Sequence, residues 1–321
     1  MSPLLEVRDL TVTYRPDVRA VRGVGFTLDA GQTLGVAGES GSGKSTMALG
    51  LLRLLAPGAR VTGEVRYRGE DLLTARWSRL RAVRWAGASV VFQGAMSALN
   101  PVRAIGEQIA EPILLHERVS RREARKRAAE LLDKVGVPAA RAGDFPHEFS
   151  GGQRQRVMIA MALACRPELI IADEPTTALD AVVQAQVLEL LSELVRDAGI
   201  AVIMISHDLS VLAGTCDRLA VMYAGRLVEI GPSKRLVGQA AHPYTEALCR
   251  AFPVIGDPAS RYAPAGLPGD PPRLTEQLPG CAFAPRCPHA GDACRTEPVS
   301  LRPAGPDHLA ACLRVPEGEP A

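Results

Sequence analysis

The sequence lacks the features of membrane-spanning, secreted and strongly charged proteins. No apolar run reaches the roughly 18 residues needed to cross a bilayer. The first residues, MSPLLE, have neither the basic nor the apolar region of a secretory signal peptide. With 37 basic and 35 acidic residues, the net charge is only +2. We therefore expect a cytosolic chain that reaches a membrane only through a partner and holds no nucleic acid by its overall charge.

Cysteine is sparse through most of the chain and concentrated near its end. The last four of the seven follow the spacing C-x5-C-x6-C-x17-C, without the C-x2–4-C pair typical of zinc sites. In a reducing compartment, clustered cysteines favour metal ligands over disulfides. We expect a [4Fe–4S] cluster, with zinc (helped by His289 or His308) as the alternative, and packing residues or free thiols as a third interpretation. The predicted ligands are Cys281, Cys287, Cys294 and Cys312.

The strongest motif that is present is a glycine-rich loop, GESGSGKST, at residues 38–46. Its spacing is that of a phosphate-binding loop, and it lies between the strand-like run 33–37 and the helix-like run 46–55. Glycine lets backbone N–H groups close around a polyphosphate, and the helix N-terminus faces the anion. We expect Lys44 to reach the β- and γ-phosphates and Ser45 to bind Mg²⁺. The predicted nucleotide-binding residues are Gly38, Glu39, Ser40, Gly41, Ser42, Gly43, Lys44, Ser45 and Thr46.

Several apolar, strand-like runs end in polar side chains, where parallel α/β sheets bind their ligands. One run ends in Asp173 and Glu174, which suit Mg²⁺ binding and activation of the attacking water. The next run leads to His207, which could donate to the γ-phosphate or the water. An earlier run leads to Gln93, which could reach Mg²⁺ or the water, although a solvated loop glutamine is the alternative. Asp180 is expected to cap the helix that follows Glu174.

A second helix start with exposed backbone N–H groups is predicted at FSGGQRQR, residues 149–156. Ser150 suits an N-cap, and Gly151 and Gly152 leave the first N–H groups accessible to an anion. A chain with one phosphate loop does not need a second such site for the same phosphate. We therefore interpret this segment as binding a nucleotide held by another subunit.

The N-terminal part of the chain predicts a small antiparallel sheet. Residues 4–37 alternate apolar and polar with turn signals between them, and residues 61–73 read as a further hairpin. Tyr14 ends the first strand, where its ring could stack on a nucleotide base. A tyrosine packed at a strand end is the equally simple alternative.

Taken in order, the phosphate loop, Phe92–Gln93, FSGGQ, IIADEP, ALD and SHD resemble the ATP-binding subunit of ABC transporters over about residues 4–235. The SGGQ element is the discriminating one, because phosphate loops occur in many NTPases. The resemblance implies an α/β fold, a P-loop ABC-type nucleotide-binding domain with a mixed-sheet core, an antiparallel β subdomain and a helical subdomain at about 95–165. The predicted domains are the ATPase at 1–235 and a small cysteine-containing region at 236–321.

The same resemblance implies a role for each motif. Tyr14 corresponds to the adenine-stacking aromatic residue, Glu174 to the catalytic base and His207 to the switch histidine. Phe149 and Ala178 depart mildly from the usual Leu and Ser, but neither departure removes a catalytic group. The remaining assignments are residues 38–46 to Walker A, Gln93 to the Q-loop, Ser150, Gly151, Gly152 and Gln153 to the signature, Asp173 to Walker B, Asp180 to the D-loop, and Ser45, Gln93 and Asp173 to Mg²⁺.

The family implies that two ATP-binding subunits face head to tail, each ATP lying between one Walker A loop and the other signature helix. The segment after Gln93 would contact a membrane permease. The expected partners are a paralogous ATP-binding subunit, two transmembrane permease subunits and, indirectly, an extracytoplasmic solute-binding protein. The expected location is peripheral, on the cytoplasmic face of the inner or plasma membrane.

The end of the chain resembles a smaller group of proteins within that family. HPYT at residues 242–245 and the cysteine-rich tail resemble the ATP-binding proteins of dipeptide, oligopeptide and nickel importers over residues 241–315, and this family favours the cluster over zinc. The expected function is ATP hydrolysis coupled to import of peptides or a related small solute. The alternative is a soluble ABC-type ATPase acting on nucleic acid or ribosomes, which usually has two cassettes or a long coiled-coil insertion.

Overall fold

The structure is a computed structural model that describes residues 2–92, 98–176, 179–251, 267, 269–276 and 278–316. The chain divides into two compact units. Unit 1 comprises Met1–Leu28, Thr33–Leu73 and Ile205–Ala321, and unit 2 comprises Asp29–Gln32 and Thr74–Met204. Within the described ranges, no helix is long and apolar enough to span a membrane.

The elements are numbered in chain order. The strands are β1 (Leu5–Tyr14), β2 (Val18–Leu28), β3 (Thr33–Ala37), β4 (Arg60–Tyr67), β5 (Glu70–Asp71), β6 (Ala88–Val91), β7 (Leu169–Asp173), β8 (Ala201–Ile205), β9 (Arg218–Tyr223), β10 (Arg226–Pro232), β11 (Arg302–Gly305) and β12 (His308–Ala310). The α-helices are α1 (Lys44–Leu51), α2 (Trp77–Val83), α3 (Ile105–His116), α4 (Arg121–Lys134), α5 (Gly151–Leu163), α6 (Ala181–Ala198), α7 (Leu209–Thr215), α8 (Ser233–Gly238), α9 (Pro243–Ala251) and α10 (Ala293–Thr296).

Unit 1 contains the antiparallel sheet expected from the N-terminal pattern. Its strand order is β2-β1-β4-β5, with β1 pairing antiparallel to both β2 and β4. Leu5, Val7, Leu10 and Val12 are buried along β1. The sheet confirms the antiparallel prediction for β1 and β2 and for the hairpin at residues 61–73. The prediction was wrong for residues 33–37, because β3 lies in the other sheet and pairs parallel with β9.

Unit 1 also contains strands in the order β11-β12-β10-β9-β3. Strand β3 pairs parallel with β9, whereas β10 pairs antiparallel with both β9 and β12. The β3 segment is buried from Leu34 to Ala37, as a parallel strand covered on both faces should be. The phosphate loop begins at the carboxyl end of β3 and therefore lies in unit 1.

One buried carboxylate, that of Glu229, holds the C-terminal segment of unit 1 against β10 through hydrogen bonds. Glu229 on β10 has no exposed surface. It accepts hydrogen bonds from the backbone N–H groups of Ala241 (2.7 Å) and His242 (3.0 Å) and pairs with His308 Nε2 at 2.7 Å. A buried carboxylate is tolerated only with such partners. Glu229 therefore ties together β10, the start of α9 and β12.

Unit 2 combines helices α2 to α6 with the strands β6, β7 and β8. Strands β6 and β7 pair parallel, and every residue of β7 and β8 is buried. Helix α5, which follows the SGGQ segment, buries Val157, Ile159 and Ala160 among other side chains. These apolar positions hold the helix in place, so its first turn is presented at a defined point of unit 2.

Candidate nucleotide site

The phosphate loop follows β3 directly and leads into α1. Gly38 and Gly43 have φ values of 150° and 99°, in the region that favours glycine. A Cβ atom at Gly38 would lie 2.2 Å from the Met222 carbonyl oxygen, and one at Gly43 would lie 2.2 Å from that of Ala20. Both glycines are therefore required by close packing of the loop against the backbone of unit 1.

The Lys44 side chain lies buried inside this loop. Its Nζ donates to the carbonyl oxygens of Gly38 (2.8 Å) and Glu39 (2.9 Å) and lies 3.4 Å from Ser42 Oγ. No side chain caps the start of α1, where Gly43 occupies the N-cap. The arrangement combines a positive charge with a helix N-terminus whose N-cap is a glycine, and both attract polyphosphate.

Two residues of the C-terminal segment, to which no motif assigned a role at the phosphate loop, contact that loop. Tyr244 Oη accepts a hydrogen bond from the Glu39 N–H group at 2.8 Å, and Arg286 pairs with the Glu39 carboxylate through two contacts of 2.8 and 2.9 Å. They are 205 and 247 residues from Glu39 in sequence. No local pattern could reveal such contacts, because they arise only when distant segments pack together.

The other unit 1 candidates lie at element ends. Tyr14 ends β1 and is half-buried, and His207 is exposed between β8 and α7. The next residue, Asp208, caps α7 by accepting from the N–H groups of Ser210 and Val211. The cap fixes the short turn that carries His207. The stacking role of Tyr14 and the switch role of His207 stay predictions.

In unit 2, the acidic pair stands at the carboxyl end of β7. Asp173 is the last strand residue and is 5% exposed. Glu174 is half-buried and has a φ of 44°, an unusual value for a residue with a side chain. Such backbone strain concentrates at functional sites. Gln93, the third candidate on a strand end, lies outside the described residues.

The SGGQ segment begins α5 with a complete capping box. Ser150 Oγ accepts from the Gln153 N–H group at 3.3 Å, and Gln153 Oε1 accepts from the Ser150 N–H group at 3.1 Å. This confirms Ser150 as an N-cap. Arg141, a residue that the motifs did not indicate, lies 3.3 Å from Gln153 Oε1 and stacks 3.9 Å from the centre of the Phe149 ring. Phe149 therefore offers Arg141 an aromatic face.

The two glycines of this segment lie against the start of α6. A Cβ atom at Gly152 would lie 2.5 Å from Val183 Cγ1, and one at Gly151 would lie 3.3 Å from Leu179 Cδ2. Asp180 caps α6 by accepting from the Val183 N–H group at 3.0 Å, as expected. Unit 2 thus brings the signature and D-loop candidates together, and glycine allows this close approach.

Of the four clustered cysteines, Cys281 is close enough to the other three for their thiols to affect its pKa. Burial raises the pKa of the Cys281 thiol, and the thiols of Cys312, Cys287 and Cys294 raise it further. The Cys281 N–H group donates to the Cys294 carbonyl oxygen at 2.8 Å. However, no three or more His, Cys, Asp or Glu side chains in the described ranges are grouped as a metal site. The donor types suit a metal, but the structure does not hold them in ligand geometry, so it does not support the predicted cluster.

Two protein families match consecutive parts of the chain. The ABC transporter family matches residues 21–177, and the C-terminal region of oligopeptide/dipeptide transporters matches residues 228–294. The first match includes the phosphate loop, the signature segment and the acidic pair. The second includes both residues that contact Glu39 and three of the four clustered cysteines.

Individual relatives extend this similarity over almost the whole chain. The oligopeptide transport ATP-binding protein OppD of Salmonella typhimurium is 47% identical over 98% of this chain and 94% of the relative. A putative peptide import ATP-binding protein of Brucella abortus is 50% identical over 93% of this chain and 91% of the relative. Among solved structures, a dimeric post-hydrolysis state of an ATP-binding cassette bound to ADP and Pi is 30% identical, with a TM-score of 0.64, and covers 71% of this chain and 98% of that cassette.

Proposed function

The chain belongs to the ABC transporter family, in its oligopeptide/dipeptide transport branch, and from this premise we infer that it hydrolyses ATP to drive peptide import. The observation that carries the proposal is the phosphate loop, in which two loop carbonyls hold Lys44 Nζ beside an uncapped helix N-terminus. An ATPase that acts on nucleic acid or ribosomes is not favoured, because full-length relatives are peptide transport proteins.

ATP binding would exchange the internal contacts of Lys44 for contacts with the β- and γ-phosphates. The backbone N–H groups of residues 40–46 would then surround the phosphates, as in other phosphate-binding loops. Hydroxyl and carboxylate oxygens are the ligands that Mg²⁺ prefers, and Ser45 and Asp173 supply them, together with the amide of Gln93. Tyr14 would stack on the adenine.

Hydrolysis would depend on Glu174 and His207. We propose that Glu174 orients or deprotonates the attacking water and that His207 donates to the γ-phosphate. The positive φ of Glu174 supports this role, because a strained backbone is retained where a side-chain direction matters. The signature residues Ser150, Gly151, Gly152 and Gln153 would bind an ATP held by a second ATP-binding subunit, and Asp180 would lie at that subunit contact.

The chain is a membrane-associated subunit that works with permease subunits. We propose that its second ATP-binding subunit is a paralogue, that two permeases complete the complex and that a solute-binding protein delivers the peptide. The location would be the cytoplasmic face of the membrane. We also propose that residues 1–235 form the ATPase domain, with its helical part at about 95–165, and that residues 236–321 form a separate C-terminal region.

A [4Fe–4S] cluster on Cys281, Cys287, Cys294 and Cys312 is proposed on the donor set alone, with zinc as the alternative. The support for it is the presence of four cysteine thiols between residues 281 and 312. Anaerobically purified chain should contain iron and sulfide and be brown. Colourless chain with one zinc per molecule would select zinc, and chain without metal would exclude both.

The activity is tested by replacing Glu174. Glu174→Gln should bind ATP with parental affinity and lose most of its hydrolysis, by a factor of about 100 or more, because general-base catalysis contributes on this order. Glu168→Gln is the matched control, since it changes the same side chain beside the opposite end of β7. Hydrolysis at the parental rate by Glu174→Gln would falsify the base assignment.

A further inference from the structure

Glu39 is an unexpected residue for an anion-binding loop because its carboxylate is negative. It is the second residue of the loop, and its own carbonyl oxygen is one of the two that hold Lys44 Nζ. An uncompensated carboxylate at this position would repel the phosphates that the loop binds. The C-terminal segment supplies the compensation, because the two terminal nitrogens of Arg286 each bind one oxygen of the Glu39 carboxylate.

The Arg286 guanidinium is enclosed rather than solvated. Its side chain is 5% exposed, against 24% for Glu39. Arg286 Nη1 also lies 3.1 Å from Tyr223 Oη, and the guanidinium lies 5.8 and 5.9 Å from the ring centres of Tyr223 and Phe283. A guanidinium keeps its positive charge in proteins, so the pair with Glu39 stays ionic. A bidentate pair in such surroundings is geometrically specific and little screened by salt.

The backbone of Glu39 is held by the same segment. Tyr244 Oη accepts the Glu39 N–H group at 2.8 Å, and Tyr244 is fully buried. Its ring packs 4.5 Å from the Tyr223 ring centre and 5.3 Å from that of Phe283. The aromatic cluster of Tyr223, Tyr244 and Phe283 therefore packs around both groups that contact Glu39 and holds them in position.

We propose that Arg286 and Tyr244 are positioning residues for ATP binding: Arg286 neutralises and withdraws the Glu39 carboxylate, and Tyr244 fixes the loop backbone at the same residue. The inference rests on the proposed ATPase function. It gives the C-terminal segment a role in nucleotide affinity. Both residues contact Glu39, so both would act through it.

The test is a double-mutant cycle on the full-length chain, read out as the Kd for ATP and as KM and kcat. Arg286→Gln should raise the Kd by about tenfold, the range of a lost partly buried charge pair, and should raise KM more than it lowers kcat. Glu39→Gln combined with Arg286→Gln should restore the Kd to within about threefold of the parent, because the repelling charge is gone. Arg295→Gln, which removes an exposed arginine from the same segment, is the matched control.

A second variant separates positioning from folding. Tyr244→Phe keeps the ring and removes the acceptor of the Glu39 N–H group, so the Kd should rise about threefold without loss of the aromatic packing. An unchanged Kd in Arg286→Gln, or no rescue in the double variant, would overturn the inference. If the parent itself bound no ATP, the proposed function would fail instead, and the two failures are thus distinct.

Discussion

Two helix N-termini in this chain are candidates for binding phosphate, and they are built differently. Helix α1 begins at Gly43, in a left-handed conformation and without a side-chain cap. Helix α5 begins at Ser150, whose hydroxyl and N–H group both form a closed capping box with Gln153. The N-cap residue of the first helix therefore supplies no side-chain acceptor to the first N–H groups, whereas that of the second does.

The difference indicates different tasks. The glycine N-cap of α1 suits direct binding of a polyphosphate, with Lys44 adding charge. The capped start of α5 satisfies one backbone N–H group without a ligand, and the Ser150 hydroxyl can still donate to a phosphate. This suits the proposed role, in which the phosphate belongs to a nucleotide held by a second subunit.

The largest expected effect is at the uncapped start. Lys44→Ala should raise the Kd for ATP by about 100-fold or more, because it removes a charged donor to two phosphates, each contact worth about 1.5 kcal/mol or more. Titration of the full-length chain with ATP measures this. Lys126→Ala, at a side chain 69% exposed on α4, is the control and should bind as the parent does.

The next effect distinguishes two glycines within the same loop. Gly43→Ala should weaken ATP binding and lower the unfolding midpoint, because its Cβ would meet the Ala20 carbonyl at 2.2 Å. Gly41→Ala meets no atom within 4 Å and should lose only about 1 kcal/mol through its positive φ. Equal thermal stability of the two variants would contradict the packing of this loop.

At the capped start, a matched serine separates stability from function. Ser150→Ala and Ser120→Ala each remove one N-cap bond, at α5 and α4 respectively, and each should cost about 1 kcal/mol. Only Ser150→Ala should also reduce ATP hydrolysis by the assembled importer, by about tenfold. Equal hydrolysis in both variants would mean that Ser150 serves the helix alone.

The smallest effect concerns the other end of α5. Arg127 binds the carbonyl oxygen of Ala164, which caps α5, at 2.9 Å and pairs with Glu117. The bond to Arg127 lowers the pKa of Glu117. Its stabilising contribution is therefore present above pH 4.5 and is lost as the pH falls through the lowered value. Glu117→Gln should lower the free energy of unfolding at pH 7 by at most about 1 kcal/mol, since Glu117 is partly solvated. When the pH falls below 4.5, this variant should also lose less stability than the parent does. Glu130→Gln, on an exposed pair, is the control for unfolding scans at both pH values.

Local sequence was sufficient for the elements that present the site. The phosphate loop, the cap at Ser150, the cap at Asp180 and the buried strand before Asp173 were all predicted, because glycine, N-cap residues and apolar runs act on their immediate backbone. The cysteine cluster was a less secure prediction. Its spacing gave four donors, but spacing cannot specify the distances among side chains from a loop, from α10 and from the residues after β12.

The sequence by itself determined the family, the strand and helix ends that present the nucleotide-binding residues, and the residue types that suit each step of hydrolysis. Only the tertiary structure decided that the C-terminal segment neutralises Glu39 and holds the phosphate loop. The physical reason is the separation along the sequence over which each interaction acts. Caps and tight turns are set by neighbours in sequence, whereas a guanidinium reaches a carboxylate 247 residues away only after the β9, α9 and C-terminal segments have packed around it.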